Sequence, residues 1–150
     1  MGNDKKNGEP LPDLMATAQI DPDEFSPQTN SDRLRSTFYA MAGFVYLVTR
    51  QPSIRWLLGV TIVVLGLALW LQVDLLRWTL LLLAIGLVWT SEALNTAIEA
   101  AVNIAAQEYH PMAKVSKDVA AAATFIASLV AALVAALTIL PPLFERLGGA

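Results

Sequence analysis

The chain has 150 residues, of which 55% are hydrophobic and 15% charged, too apolar and too short for several soluble domains. Its formal net charge of −3 gives no basic field of the kind nucleic acid requires, which argues against nucleic-acid binding. Cysteine is absent, so disulfide frameworks, thiol catalysis and cysteine-ligated zinc are excluded.

Residues 1–31 hold six acids (Asp4, Glu9, Asp13, Asp21, Asp23 and Glu24) against Lys5 and Lys6, leaving a net charge of +1 for the remainder. This stretch is rich in Pro, Asp, Asn, Gln and Ser and has too little large apolar surface to offset the entropy of ordering. It is expected to be a disordered acidic tail. No apolar run follows MGNDKKNGEP, so no cleaved signal peptide is expected.

From about residue 32 to 49, Leu34, Phe38, Met41, Phe44 and Leu47 or Val48 recur at helical spacing behind Arg33 and Arg35. This pattern predicts an amphipathic helix on the membrane surface. Gln51-Pro52-Ser53 then breaks or redirects it.

Three apolar stretches follow, each compared with the ~20 residues that span ~30 Å of hydrocarbon. Residues 56–73 and 119–140 are free of charge, and the uncharged run 78–91 continues in helical pattern through Gln107. The expected spans are about 54–73, 76–106 and 118–140, the last ending at Pro141-Pro142, with 145–150 as a C-terminal tail. Trp56, Trp70, Trp78 and Trp89 stand near segment ends, where interfacial aromatic residues belong. Arg33, Arg35, Arg50, Arg55, Lys114 and Lys117 fall on one side and only Arg77 and Arg146 on the other. The amino terminus is therefore expected inside. The fold class is an all-α membrane protein.

At ~100° per residue, Glu92, Asn95, Glu99 and Asn103 lie at about 0°, 300°, 340° and 20°, on one face of the second span. Counting ~1.5 Å per residue from Trp78, Glu92 sits about 21 Å along the axis and Glu99 about 31 Å. Glu92 is thus placed just inside the inner hydrocarbon boundary, with Glu99 and Asn103 at or beyond it. Carboxylates at such depth are costly unless paired, neutralised or bound to a cation. One reading of the face is chemistry; the other is a polar seam that joins helices, with Glu92 protonated and hydrogen-bonded.

Gln107 to Pro111 (QEYHP) ends this helix on the same side, ahead of MAKVSKD. His110 by itself fits a loop or interface residue, and Lys117 by itself a positive-inside anchor. Together with the face they make a divided site: one carboxylate within reach of a lipid hydroxyl, a second where Mg²⁺ and phosphate approach from water, and a lysine nearby. Phosphoryl transfer needs little more than positioning, charge neutralisation and a base for the attacking hydroxyl. No Walker motif or kinase glycine-rich loop is present. A channel or transporter is disfavoured, because the charged residues of the second span cluster at one end.

SEALNTAIEAAVN (residues 91–103) followed by EYHPMAKVSKDVAAAA (residues 108–123) strongly resembles the prokaryotic diacylglycerol kinase and undecaprenol kinase family. The similarity runs from about Arg35 to the end of the third span. The resemblance implies a homotrimer of three-span protomers in the bacterial cytoplasmic membrane, each with a surface helix, sharing active sites between subunits. It implies ATP with Mg²⁺ as donor and a membrane lipid alcohol, diacylglycerol or undecaprenol, as acceptor. By position, Glu92 resembles the catalytic base, Asn95 the neighbour that positions the acceptor, and Glu99 a ligand of magnesium and phosphate. Tyr39, Glu108, Tyr109, His110, Lys117 and Asp118 match nucleotide contacts, and Arg55 a basic residue on the acceptor side.

Three positions depart from the family pattern. Gln51 stands where a glutamate usually shares the metal, and Asn103 where an aspartate is usual. A glutamine oxygen can still ligate Mg²⁺, so weaker metal affinity is expected before loss of chemistry. Ala121 is similar to the undecaprenol branch, where the diacylglycerol branch has serine. The competing expectation is a catalytically weakened or inactive relative that binds lipid or nucleotide.

Overall fold

The computed structural model describes residues 33–106 and 108–148, so the expected acidic tail lies outside the described residues. Four helices follow in order: α1 (Arg33–Arg50), α2 (Pro52–Trp70), α3 (Leu75–Ala105) and α4 (Pro111–Gly148). The described chain divides into two compact units after Ala42, and the account below concerns the second.

α1 closes as the Gln51 N–H donates to the Leu47 carbonyl at 3.0 Å, and α2 opens at once with Pro52 in its first turn. Proline suits that place because its fixed φ is helical and its missing N–H has no partner to lose. α2 ends at a tight turn in which Gln72 takes a left-handed φ of 53°, while the N–H groups of Gln72 and Val73 return to the carbonyls of Leu69 and Ala68. Those bonds satisfy helix-end acceptors and fold Leu71 and Val73 into the core. Asp74 then caps α3, accepting the Arg77 N–H at 3.0 Å. That bond, assisted by the Arg77 charge, holds the exposed Asp74 carboxyl below the usual carboxylate range.

α2, α3 and α4 are each long and apolar enough to cross a membrane. Trp56, Leu83, Phe125 and Leu137 are among many large apolar side chains they leave exposed, an outer surface suited to lipid and unsuited to water. The chain is an all-α membrane protein. The 31 residues of α3 give a length of about 46 Å, about half as long again as ~30 Å of hydrocarbon.

α3 and α4 form the main antiparallel pair. Ala120, Thr124 and Ala127 are the buried stripe of the first half of α4, and such small residues let helix backbones approach closely. Thr124 donates to the Ser91 carbonyl at 3.2 Å, which fixes α4 against α3 one residue from Glu92. A separate apolar cluster of Ala68, Leu71, Val73, Leu81 and Ile139 closes the opposite end of the bundle.

α4 departs from expectation at both ends. It starts at Pro111, seven residues before the expected residue 118, because Pro111 is suited to a first turn and the His110 Nδ1 accepts the Met112 N–H at 3.2 Å. It also continues through Pro141 and Pro142 to Gly148, so residues 145–148 are helix rather than tail. Two prolines remove two donors, yet membrane helices tolerate them where other groups compensate. Here Leu143 packs on the apolar cluster, and the Arg146 guanidinium donates to the Trp70 carbonyl at 2.7 Å while lying 4.9 Å from the centre of the Trp70 ring. Arg146→Ala is expected to lower stability by about 0.5–1 kcal/mol from the cation–π contact alone. Thermal denaturation in detergent measures this, and an unchanged melting temperature would show that the contact holds nothing.

Candidate functional site

Glu92, Asn95, Glu99 and Asn103 lie on one helix, α3, and the first three are half-buried. The Ser53 hydroxyl, in the first turn of α2, donates to Glu92 Oε2 at 3.1 Å. One turn further along α3, Asn95 Nδ2 makes a long bond of 3.5 Å to Glu99 Oε1, and Asn95 Oδ1 is buried without a partner among the described residues. Past Glu99, Lys117 Nζ donates to Asn103 Oδ1 at 2.6 Å, joining the end of α3 to the start of α4. Lys114 pairs with Asp118 one turn apart on α4.

Between these helix ends lies an open hollow of 390 Å³, lined by Asn103, Glu108, Tyr109, His110, Lys114 and Lys117 among others. An adjoining hollow of 540 Å³ shares Glu108, Tyr109 and His110. Five of the expected nucleotide-side residues are thus gathered around one end of α3: Glu108, Tyr109 and His110 line both hollows, Lys117 lines the nearer, and Asp118 adjoins it through Lys114. Tyr39 belongs to the other compact unit. Arg55 and Ala121 are exposed on α2 and α4.

Gln51 caps α2 with its backbone and makes no side-chain capping bond. Among the described residues, no three His, Asp or Glu side chains converge as a ready metal cage. The oxygens present nevertheless fit magnesium in kind. Mg²⁺ takes hard oxygen ligands, often one or two carboxylates with substrate phosphates and water completing the shell. Glu99 supplies a carboxylate, and the orphaned Asn95 Oδ1 one turn away is a buried acceptor with unspent capacity.

Sequence reasoning missed Ser53, Lys114 and an aromatic brace beneath the carboxylates. The brace is Trp89, three residues before Glu92, stacked on Phe44 with ring centres 5.8 Å apart and hydrogen-bonded through Nε1 to Thr61 Oγ1 at 3.1 Å. It ties α1, α2 and α3 together one turn from Glu92. In the sequence Trp89 is legible only as an interfacial aromatic. The cue for Ser53 is depth, since it opens α2 on the same membrane side on which α3 carries Glu92.

A family model described as prokaryotic diacylglycerol kinase matches residues 38–139. The chain belongs to this family. A diacylglycerol kinase of Pseudomonas aeruginosa is 34% identical over 109 residues, covering 72% of this chain and 89% of that protein. A diacylglycerol kinase of Synechocystis is 35% identical over 121 residues, covering 80% and 69%. An undecaprenol kinase of Bacillus subtilis is 35% identical over 72 residues, covering 48% and 58%. The region matched by the diacylglycerol kinase family model contains every candidate site residue, from Tyr39 to Ala121, and leaves the acidic tail outside.

Proposed function

We propose that the chain is a lipid kinase that moves the γ-phosphoryl group of ATP onto the hydroxyl of a membrane lipid alcohol, giving phosphatidic acid from diacylglycerol or undecaprenyl phosphate from undecaprenol. The observation that carries this reading is the divided face of α3. A half-buried carboxylate, Glu92, lies near the middle of α3, and Glu99 with Asn95 lies one to two turns closer to a polar hollow rimmed by Lys117 and His110.

In this reading Glu92 is the general base. Ser53 occupies Oε2, and among the described residues no hydrogen bond engages Oε1, which takes the proton of the acceptor hydroxyl. The acceptor oxygen forms its bond to the γ-phosphorus as the bond from phosphorus to the ADP oxygen breaks. ADP carries away the electron pair, and Glu92 returns its proton to water. Asn95 positions the acceptor beside Glu92, and the exposed Arg55 and Ala121 lie on the acceptor side.

Glu99, with Gln51 as a weaker oxygen donor, would hold Mg²⁺. When bound, the ion neutralises phosphate charge developing in transfer. Lys117, steadied by Asn103, holds phosphate oxygens as a point charge. Glu108, Tyr109, His110 and Asp118 contact the nucleotide. The working form is a homotrimer with sites shared between subunits. It lies in the bacterial cytoplasmic membrane with its amino terminus on the cytoplasmic side.

The test is a side-by-side acceptor assay. Purified protein in mixed micelles with ATP and Mg²⁺ is expected to phosphorylate diacylglycerol, undecaprenol or both. Inactivity toward both alcohols, under conditions where the Pseudomonas relative is active, overturns the reading.

A further inference from the structure

Ser53 is joined to Glu92 across 39 residues of sequence, and among the described residues this hydrogen bond alone links an α2 side chain to the acidic face of α3. Its neighbours cannot replace it. Pro52 has no N–H to donate, Gln51 makes no side-chain capping bond, and the Ile54 side chain is wholly buried on another side of the helix. The backbone of α3 is already fixed in the turn that leads into Glu92. Trp89 is braced by Phe44 and Thr61, and Ser91 is held through its carbonyl by Thr124. What remains free near Glu92 is rotation of its own side chain, and Ser53 is the donor that restrains it. Ser53 also stands in the first turn of α2, where the partial positive charge of a helix start favours a carboxylate anion.

We infer that Ser53 is a positioning residue for phosphoryl transfer, fixing Glu92 through Oε2 so that Oε1 points at the acceptor hydroxyl. The inference rests on the lipid kinase reading above and adds to it the residue that aims the base. Ser53 touches neither phosphate nor nucleotide in this scheme, so its effect falls on turnover and spares donor binding.

The experiment is steady-state kinetics of full-length Ser53→Ala and Ser53→Thr beside wild type and Glu92→Gln, with melting temperatures measured for each. A hydrogen bond to a charged group lost from a base that must be aligned predicts a kcat about 10- to 100-fold lower in Ser53→Ala. The KM for Mg-ATP should stay within about twofold, and Ser53→Thr, which restores the hydroxyl, should recover most of the turnover. If Ser53→Ala keeps wild-type kcat while Glu92→Gln is inactive, the inference falls and the kinase reading stands. If Glu92→Gln is itself fully active, the kinase reading falls first. A Ser53→Ala protein whose kcat, KM for Mg-ATP and melting temperature all worsen together, without rescue by threonine, shows a structural role only and also overturns the inference.

Discussion

Glu92→Gln is expected to lower lipid phosphorylation by about 10²- to 10⁴-fold, the range typical for loss of a general base. Glutamine has nearly the same shape, and its carbonyl oxygen can still accept the Ser53 hydroxyl that Glu92 Oε2 accepts at 3.1 Å. Helix packing should therefore survive, since Thr124 and Trp89 hold α3 through atoms the substitution leaves alone. What disappears is an oxygen able to take a proton. Removing a half-buried charge can even raise thermal stability, as an ionised side chain at that depth is costly. Lower activity at equal or higher melting temperature is the expected pattern. Equal activity would place the base elsewhere.

Glu99→Gln is expected to act on the other half of the site. It removes the carboxylate that stands nearest the polar hollow on this face and leaves a neutral amide beside that of Asn95. Phosphate charge then loses its main counter-ion, and the expected fall is about 10²- to 10³-fold, comparable to removing one preorganised group that stabilises transition-state charge. Unlike Glu92→Gln, this loss should shrink as magnesium is raised, because the defect lies in holding the ion. Titrating activity against Mg²⁺ for wild type and variant checks it, and a loss that is the same at all magnesium concentrations contradicts the assignment of Glu99.

The legible parts of the molecule are those governed by local periodicity and length. Apolar runs long enough to span hydrocarbon mark three helices, and the ~100° step puts Glu92, Asn95, Glu99 and Asn103 together without tertiary information. The ends of α4 escape the sequence for a local reason. Lys114 and Lys117 look like loop, and Pro141-Pro142 looks like a stop, whereas the helix gains a His110 cap at one end and an Arg146 hook on Trp70 at the other. That hook joins residues 76 apart, and no local pattern carries it.

The same limit hides the contacts within the site. Ser53 meets Glu92 only because α2 and α3 pair in a particular register, and Lys117 reaches Asn103 only because α4 begins early enough to bring its second turn beside α3. By resemblance Asn103 is a lost negative charge. The structure uses it as a neutral acceptor for Lys117, so the lysine is held at the hollow without being neutralised. Gln51 stands out by its position in the family pattern, and the structure gives it a capping place between α1 and α2 with no capping bond from its side chain.

Equilibrium binding of Mg-ATP to wild type, Glu92→Gln and Glu99→Gln most directly tests the division of labour between the two carboxylates. Glu92→Gln should bind Mg-ATP as wild type does while transferring phosphate far more slowly, and Glu99→Gln should bind it more weakly. Weakened binding in Glu92→Gln together with unchanged binding in Glu99→Gln would contradict the division.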